Sequence, residues 1–570
     1  MEAGEILLKR GLLDQRQLDL SRRSQNDGAR LDQVAVEMGF VSEEAALKAL
    51  GDELGLAFVD LSEMDIQPSV LNGFPPRFMH REALFPVHQR KGVLVVATSD
   101  PFNLYPLDEL EVATGRTVVP VLATRNEIDR LIKTHLGVGS ETVEGLLAQR
   151  EENQIELLDE IESDGSELSE MAQEPSVVRL VNEILLEALD TRASDVHIES
   201  QQSGLKIRYR IDGVLQPQPA PPEISRFQSA IISRLKIMAR LNIAERRLPQ
   251  DGRIQLKVAG RDVDVRVSVI PMIHGEGIVL RLLDKSQMEF TLSKLGMADD
   301  IYQLYRELIH LPHGVILSVG PTGCGKTTTL YGSLLEIRSP ETKIVTTEDP
   351  VEYQLEGINQ IQVHPKIGLT FARSLRSILR HDPDVVLVGE IHDLETAENA
   401  IQASLTGHTV FSTLHTNDAA GAYTRLIDMQ VESFLVASTL EAVMAQRLVR
   451  TLCPDCREPY QPELEELPGD FPAEKLSGDT TLYRAVGCRA CRHLGYRGRM
   501  GLFELLIPSP EVRKLAHDRA NAWDIAQTAR KQGMRNLRED GWGKVLDGRT
   551  TVEEVVRVTK ENTYGQDSRG

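Results

Sequence analysis

Residues 314–335 read Gly-Val-Ile-Leu-Ser-Val-Gly-Pro-Thr-Gly-Cys-Gly-Lys-Thr-Thr-Thr-Leu-Tyr-Gly-Ser-Leu-Leu. No other run narrows the fold as far. An apolar stretch of strand length meets the pattern G-x-x-x-x-G-K-T and a helical pattern follows, so the unit belongs inside an open α/β sheet. Gly320, Gly323 and Gly325 let the backbone curl until its N–H groups face phosphate oxygens at a helix N-terminus, with Pro321, Thr322 and the small Cys324 between them. Lys326 would reach the β and γ phosphates of a bound triphosphate, and the Thr327 hydroxyl would hold Mg²⁺, with Thr328 beside it on the first helical turn. An eight-residue pattern alone can arise by chance; the strand before it and the helix after it make this one a phosphate site.

Three further apolar runs fit the same sheet. Lys343-Ile344-Val345-Thr346-Thr347 ends in Glu348-Asp349-Pro350-Val351-Glu352, Asp384-Val385-Val386-Leu387-Val388 ends in Gly389-Glu390, and Thr409-Val410-Phe411-Ser412-Thr413 ends in Leu414-His415-Thr416. In open α/β sheets the carboxyl ends of the strands collect at the ligand crevice, so these side chains converge on the glycine loop. Hydrolysis of ATP needs a carboxylate to orient water and donors to meet charge on the γ phosphate. Glu390 is the candidate for the water, Glu348 and Asp349 for assisting the metal, and His415 for a hydrogen bond to the γ phosphate. Singly, each acid reads equally as a cap or turn residue and His415 as a core histidine; as a set beside the loop they point to catalysis.

Cys453-Pro454-Asp455-Cys456 and Cys488-Arg489-Ala490-Cys491 form two C-x₂-C pairs separated by 31 residues. Each pair can place two thiolates on one tetrahedral ion, so Cys453, Cys456, Cys488 and Cys491 are expected to hold a closed, structural Zn²⁺. Two local disulfides fit poorly with a reducing compartment, and that compartment is expected because the chain opens without a secretory signal pattern and has no apolar window near the ~18 residues of a membrane span.

The remaining sequence divides by composition. Gly4-Glu5-Ile6-Leu7-Leu8-Lys9-Arg10-Gly11-Leu12-Leu13-Asp14 recurs as Asp32-Gln33-Val34-Ala35-Val36-Glu37-Met38-Gly39-Phe40-Val41-Ser42, each copy a short helix stopped by glycine and followed by a capped second helix. Strand-like runs at 92–97 and 117–121 follow, with a helix after Thr124. Residues 141–174 carry twelve acids and one arginine, a composition that favours a mobile linker. That stretch supplies −11 of the chain's formal charge of −21. Between 226 and 266, by contrast, stand ten Lys or Arg and four acids, a basic face that could meet phosphates. The acidic balance argues against a nucleic-acid coat protein.

Taken together, the segments resemble the type II secretion system assembly ATPase family, within the superfamily that includes pilus assembly and retraction ATPases. The residues that carry the resemblance are Gly320 to Thr328; the Asp box from Thr347 to Glu352; Asp382-Pro383-Asp384 through Gly389-Glu390 as Walker B; and the His box, Ser404-Leu405-Thr406-Gly407-His408 with Ser412 to Asp418. Upstream lie Ser194-Asp195-Val196-His197-Ile198-Glu199, Arg208-Tyr209-Arg210-Ile211-Asp212-Gly213 and Leu248-Pro249-Gln250-Asp251-Gly252-Arg253, and downstream Gly495-Tyr496-Arg497-Gly498-Arg499, so the resemblance spans about residues 175–560. It implies an α/β fold: a RecA-like P-loop ATPase domain preceded by a smaller α/β domain, an N-terminal helical and mixed domain, and the zinc insertion. The implied boundaries are 1–138 for partner docking, 139–174 for an acidic flexible linker, 175–288 for the small domain, 289–452 for the ATPase core, 453–491 for the zinc-binding insertion and 492–570 for a C-terminal helical part.

It further implies ATP, Mg²⁺ and Zn²⁺ as cofactors, a homo-hexamer at the cytoplasmic side of the inner membrane, an L-type docking protein and an F-type platform protein as partners, and arginines of the small domain reaching nucleotide. Arg208, Arg210, Arg247 and Arg253 are the candidates for that reach. The chain departs from the family in carrying His381 before Asp382 and His392 after Ile391, where the family commonly has Gln and Arg. Relatives that bind cyclic di-GMP usually open each N-terminal repeat with Arg-Leu-Gly; here the repeats open Glu2-Ala3-Gly4 and Arg30-Leu31-Asp32, which disfavours that ligand. The expected function is an ATP-driven motor for pseudopilus assembly and protein export, with type IV pilus extension as the alternative. A nucleic-acid translocase and a nucleotide-gated scaffold are weaker readings, the first for want of a basic, aromatic-studded channel segment and the second because the carboxylate set is intact.

Overall fold

The N-terminal repeat becomes two helix pairs, Ala3–Lys9 with Gln15–Arg23 and Leu31–Glu37 with Glu43–Leu54. Gly11 and Gly39 break the first helix of each pair with φ of 71° and 72°, a region open to glycine without a Cβ penalty. Asp14 and Ser42 cap the second helices by accepting the backbone N–H of Gln17 and Ala45, each worth about 1 kcal/mol. A three-stranded sheet follows, β1 (Phe85–Arg90), β2 (Val93–Thr98) and β3 (Thr117–Leu122), in the order β1-β2-β3. Phe85, Val96, Leu110 and Ile128 are fully buried in the core that it shares with helices Tyr105–Thr114 and Arg125–Leu136.

The computed structural model describes residues 3–24, 30–61, 82–136, 155–157, 174–258, 260–284 and 290–560, apart from 91, 104 and 477–480, together with a few isolated positions between them. Most of the expected linker, 139–174, lies outside the described residues. Its Ile155–Leu157 forms β4, however, and pairs antiparallel with Val258, Lys257 and Leu256. The alternating Ile-Glu-Leu triplet can extend a sheet edge even inside an acidic run.

That sheet belongs, with the N-terminal elements, to the first of two compact units, Met1–Ser286 and Gln287–Gly570. It contains β5 (Ala193–Gln201), β6 (Gly204–Ile211), β7 (Val214–Gln218), β8 (Gln250–Val258), β9 (Arg261–Met272) and β10 (Gly275–Asp284). The order is β4-β8-β9-β10-β5-β6-β7, and every pairing is antiparallel. Alternate residues such as Val196, Ile198, Ile207, Tyr209, Val265 and Leu280 are buried, and helices Pro175–Asp190 and Gln228–Met238 pack in the same unit. The other alternation set is charged, as expected of an antiparallel sheet with one face turned to water.

In the second unit, β11 (Gly314–Val319), β12 (Ile344–Glu348), β13 (Asn359–Gln362), β14 (Val385–Val388), β15 (Thr409–Leu414) and β16 (Leu440–Leu452) run parallel in the order β13-β12-β14-β15-β11-β16. Every residue of β11, β14 and β15 is buried, which is why their sequences are apolar runs and not alternations. Beyond β17 (Glu458–Tyr460) and β18 (Leu482–Arg484), β19 (Tyr496–Leu506) returns antiparallel on β16. The C-terminal part therefore opens with an eleven-residue strand before helices Pro510–His517, Ala522–Lys531, Leu537–Leu546 and Val552–Val558. Two glycines, Gly498 and Gly501, disfavour a helix over 496–506, and the run Leu502 to Leu506, apolar but for Glu504, completes the sheet. Among the described residues no helix is long and apolar enough to cross a membrane.

Candidate nucleotide and metal sites

Between β11 and the helix Lys326–Ile337 the glycine loop turns with φ of 149° at Gly320, 79° at Gly323 and 94° at Gly325. A Cβ at Gly320 would stand 2.6 Å from Cys324 Sγ and 2.8 Å from the Gln446 carbonyl, so no larger residue fits there. Lys326 Nζ donates to the carbonyls of Gly320 (2.8 Å) and Pro321 (3.2 Å), holding its ammonium over the loop. Burial lowers the Lys326 pKa, while the nearby Glu390 charge opposes that shift. Pro321, Thr322 and Thr327 are exposed and Thr328 is half-buried, whereas Cys324 is buried and its thiol pKa is raised by desolvation.

At the carboxyl ends of the neighbouring strands, Glu390 and His415 meet: Nε2 of His415 lies 3.4 Å from Oε2 of Glu390. On the other side His392 Nδ1 stands 3.8 Å from Glu390 Oε1, its second nitrogen 3.2 Å from Asp393 and its ring edge against Phe371. His392 thus flanks the candidate catalytic carboxylate. Asp349 is exposed at the end of β12. Glu348 is buried and accepts from Tyr331 Oη, Thr346 Oγ1 (2.5 Å) and Gln360 Nε2 (3.1 Å), so protein donors already occupy both oxygens. His408 and His381 sit at the opposite, amino ends of β15 and β14, His408 bonding the Ala403 carbonyl at 2.9 Å and the His381 carbonyl accepting from Lys343.

Two residues that motif reading did not single out complete the loop. Gln446, buried on β16, accepts from Ser318 Oγ (3.3 Å) and Thr329 Oγ1 (2.8 Å) and donates to the Cys324 carbonyl (2.8 Å). It ties the strand, loop and helix of the phosphate unit together. Arg447 follows it and reaches Asn417 of the His box. The sequence signal for the pair is a Gln-Arg step inside the otherwise apolar run 442–449 of β16.

In the other unit each of the four candidate arginines has a carboxylate partner: Arg208 with Glu199, Arg210 with Asp195 (3.7 Å, a carboxylate that Arg281 also holds at 3.2 Å), Arg247 with Glu245 (2.8 Å) and Arg253 with Asp264 (2.5 Å from Nε).

The four cysteines Cys453, Cys456, Cys488 and Cys491 close into one cluster, their sulfurs all within 4.8 Å of one another and in no disulfide. Contacts of 3.8 Å (Cys453 to Cys488), 3.7 Å (Cys456 to Cys491) and 3.8 Å (Cys488 to Cys491) match the ~3.8 Å edge of a tetrahedron with bonds of about 2.3 Å. Backbone N–H groups of Gly487, Cys488 and Gly495 point at sulfur (3.1–3.3 Å), a set suited to thiolates. Burial raises the Cys491 pKa, but the N–H bonds from Cys488 and Gly495 outweigh it and bring the thiol to about 7. The donor set fits Zn²⁺.

Residues 170–557 match the family described as Type II/IV secretion system protein. The chain belongs to this family. Residues 54–142 of this type II/IV secretion system protein match the MshEN domain. It is 45% identical over 563 residues to the type II secretion system protein E of Xanthomonas campestris pv. campestris, covering 98% of each chain. With the type IV pilus assembly ATPase PilB of Myxococcus xanthus it shares 40% over 565 residues, 98% of this chain and 99% of that one. With the type II secretion system ATPase E of Vibrio cholerae serotype O1 it shares 51% over 396 residues, 70% of this chain and 78% of the other. As a member of this family the chain is an α/β ATPase.

Proposed function

We propose that this chain hydrolyses ATP to power pseudopilus assembly and protein export by a type II secretion system. The observation that carries this reading is the end-to-end match, at 45% identity, to a type II secretion system protein E. At the site, the loop from Gly320 to Thr328 binds the phosphates, Lys326 neutralises the β and γ oxygens, and Glu390 orients the attacking water. His415, beside Glu390, donates to the γ phosphate, while Glu348 holds the end of β12 through Tyr331 and Gln360. Bound Mg²⁺, for which the Thr327 hydroxyl and Asp349 stand ready, would offset charge on the transferred group. Zn²⁺ on the four cysteines serves structure alone.

The boundaries expected above remain our division of the chain, with β19 joined to the ATPase sheet. A homo-hexamer at the cytoplasmic face of the inner membrane, docked through residues 1–138 to an L-type protein and facing an F-type platform protein, is the assembly this reading requires. The engaged carboxylates of Arg208, Arg210, Arg247 and Arg253 would have to yield before those residues reached nucleotide. The alternative, pilus extension, is favoured by the PilB relative at 40% identity. Purified protein should hydrolyse MgATP, and Glu390→Gln should lower kcat at least about hundredfold while leaving ATP binding within a few-fold. Introduced into strains lacking either ATPase, the gene should restore export and not piliation; restored piliation alone would transfer the assignment to the pilus.

A further inference from the structure

Arg447 stands where β16 passes the end of β11, one residue beyond the Gln446 that clamps the loop. Its Nη1 donates to the Gln446 carbonyl (3.0 Å), and its Nη2 donates to the Asn417 carbonyl (2.9 Å) with Asn417 Oδ1 at 3.4 Å. The guanidinium therefore spans the mouth of the P-loop, from β16 on one side to the segment after β15 on the other. A Cβ built on Gly320 would meet Arg447 Nη1 at 3.1 Å, so the cation lies directly on the loop's first glycine.

Three features distinguish it from the other cations discussed above. Its partners are carbonyl and amide oxygens, and among the described residues no carboxylate is within ion-pair distance of it, whereas Arg208, Arg210, Arg247 and Arg253 each have one. It is partly withdrawn from water: desolvation lowers its pKa, with Cys324, Glu504 and Asp418 supporting its charge from further away. Finally, it shares its electrostatic surroundings with Lys326, whose pKa it pushes down. A half-buried guanidinium with neutral partners, next to the phosphate lysine, has unmet demand for an anion.

We propose that Arg447 is a phosphate-binding cation of the ATP site supplied by the same chain, contacting the terminal phosphate while its second nitrogen holds Asn417. Terminal, and not β, follows from its tether: Asn417 is two residues past His415, on the strand-end side of the site where Glu390 also lies, while the loop amides and the helix N-terminus face the inner phosphates. The contact also gives the His-box segment a direct dependence on whether a third phosphate is present. This inference rests on the P-loop being an ATP site.

The test is binding of a fluorescent ATP analogue and the matching ADP analogue, with Mg²⁺, to the full-length protein and its Arg447→Gln, Arg447→Lys and Lys326→Ala variants. Gln keeps the stem and a donor for Asn417 without the charge, and Lys restores the charge without the fork. The proposal expects Arg447→Gln to lose about tenfold to a hundredfold in ATP affinity and less than threefold for ADP, with Arg447→Lys between it and the parent. Unchanged ATP affinity in Arg447→Gln, or equal losses for ATP and ADP, overturns it. Should Arg447→Gln fail to fold, the Lys variant decides alone: an ATP affinity and an ATP-to-ADP ratio both equal to the parent's overturn the proposal. If the parent binds neither nucleotide, or Lys326→Ala binds as tightly as the parent, the ATP reading of the P-loop has failed, an outcome distinct from a parent that binds and an Arg447 that is idle.

Discussion

Gln446 is buried and satisfies three partners, so its loss should exceed that of an ordinary surface amide. Gln446→Leu leaves the Ser318 and Thr329 hydroxyls and the Cys324 carbonyl short of a partner. We expect a loss of about 3 kcal/mol, seen as a lower Tm, together with a severalfold rise in KM for ATP. Glu504 makes a second prediction. It is 5% exposed, and burial raises its pKa to about 7 although the backbone N–H groups of Ala419 (2.8 Å) and Leu537 (3.4 Å) favour the anion. A carboxyl whose folded pKa is raised contributes stability below its unfolded pKa and loses it as pH climbs through the folded value. The parent should therefore lose about 3 kcal/mol relative to Glu504→Gln between roughly pH 4.5 and 7 and no more above it; thermal unfolding of both proteins at pH 5 and pH 8 measures the gap, and parallel curves would refute it. Lys326, Glu390 and His415 were legible in the sequence because a glycine pattern or a strand end marks each. Gln446, Arg447 and Glu504 were not, because each interrupts an apolar strand whose periodicity absorbs it, and their partners lie up to 128 residues away.

At the scale of elements, β16 and β19 form one antiparallel ribbon with different tasks at its two ends. One end carries Gln446, Arg447 and Glu504 against the phosphate loop and the His box; the other runs into Cys453 and out of Cys491, where the Cys453 N–H donates to the Gly495 carbonyl at 3.0 Å. Arg450 stacks on Tyr496 and, with Arg557, holds the Glu554 carboxylate down to about 2. With zinc on the four cysteines, as proposed, its removal should free the cysteine end first. Metal analysis should return about one zinc per chain, and a strong chelator should lower Tm by several degrees while Cys488→Ser abolishes metal retention; a full metal complement in that variant would exclude the cluster. The buried parallel strands could be read from the sequence because they are short apolar runs between breakers. β19 could not, since its partner strand is fixed by sheet closure and not by any local pattern.

For the molecule as a whole, the repeat at the N-terminus offers little to an anionic ligand. Arg30 is bound by Asp32 (2.6 Å) and Asp100 and lies over the Phe102 ring, and Asp32 takes the place where the nucleotide-binding pattern has glycine. A calorimetric titration of the full-length chain with cyclic di-GMP should give no saturable heat; saturable binding would mean that Arg30 exchanges its carboxylates for phosphate. The edge strand Ile155–Leu157 was hidden in the sequence by the acids around it. Its position sets a length limit. Only the 18 residues 137–154 separate the helix Arg125–Leu136 from β4, and a chain of that length can span at most about 65 Å. The 36 residues 139–174 that the composition marks as a linker could span at most roughly 125 Å, so the β4 pairing leaves about half that length of chain between the helix Arg125–Leu136 and the sheet.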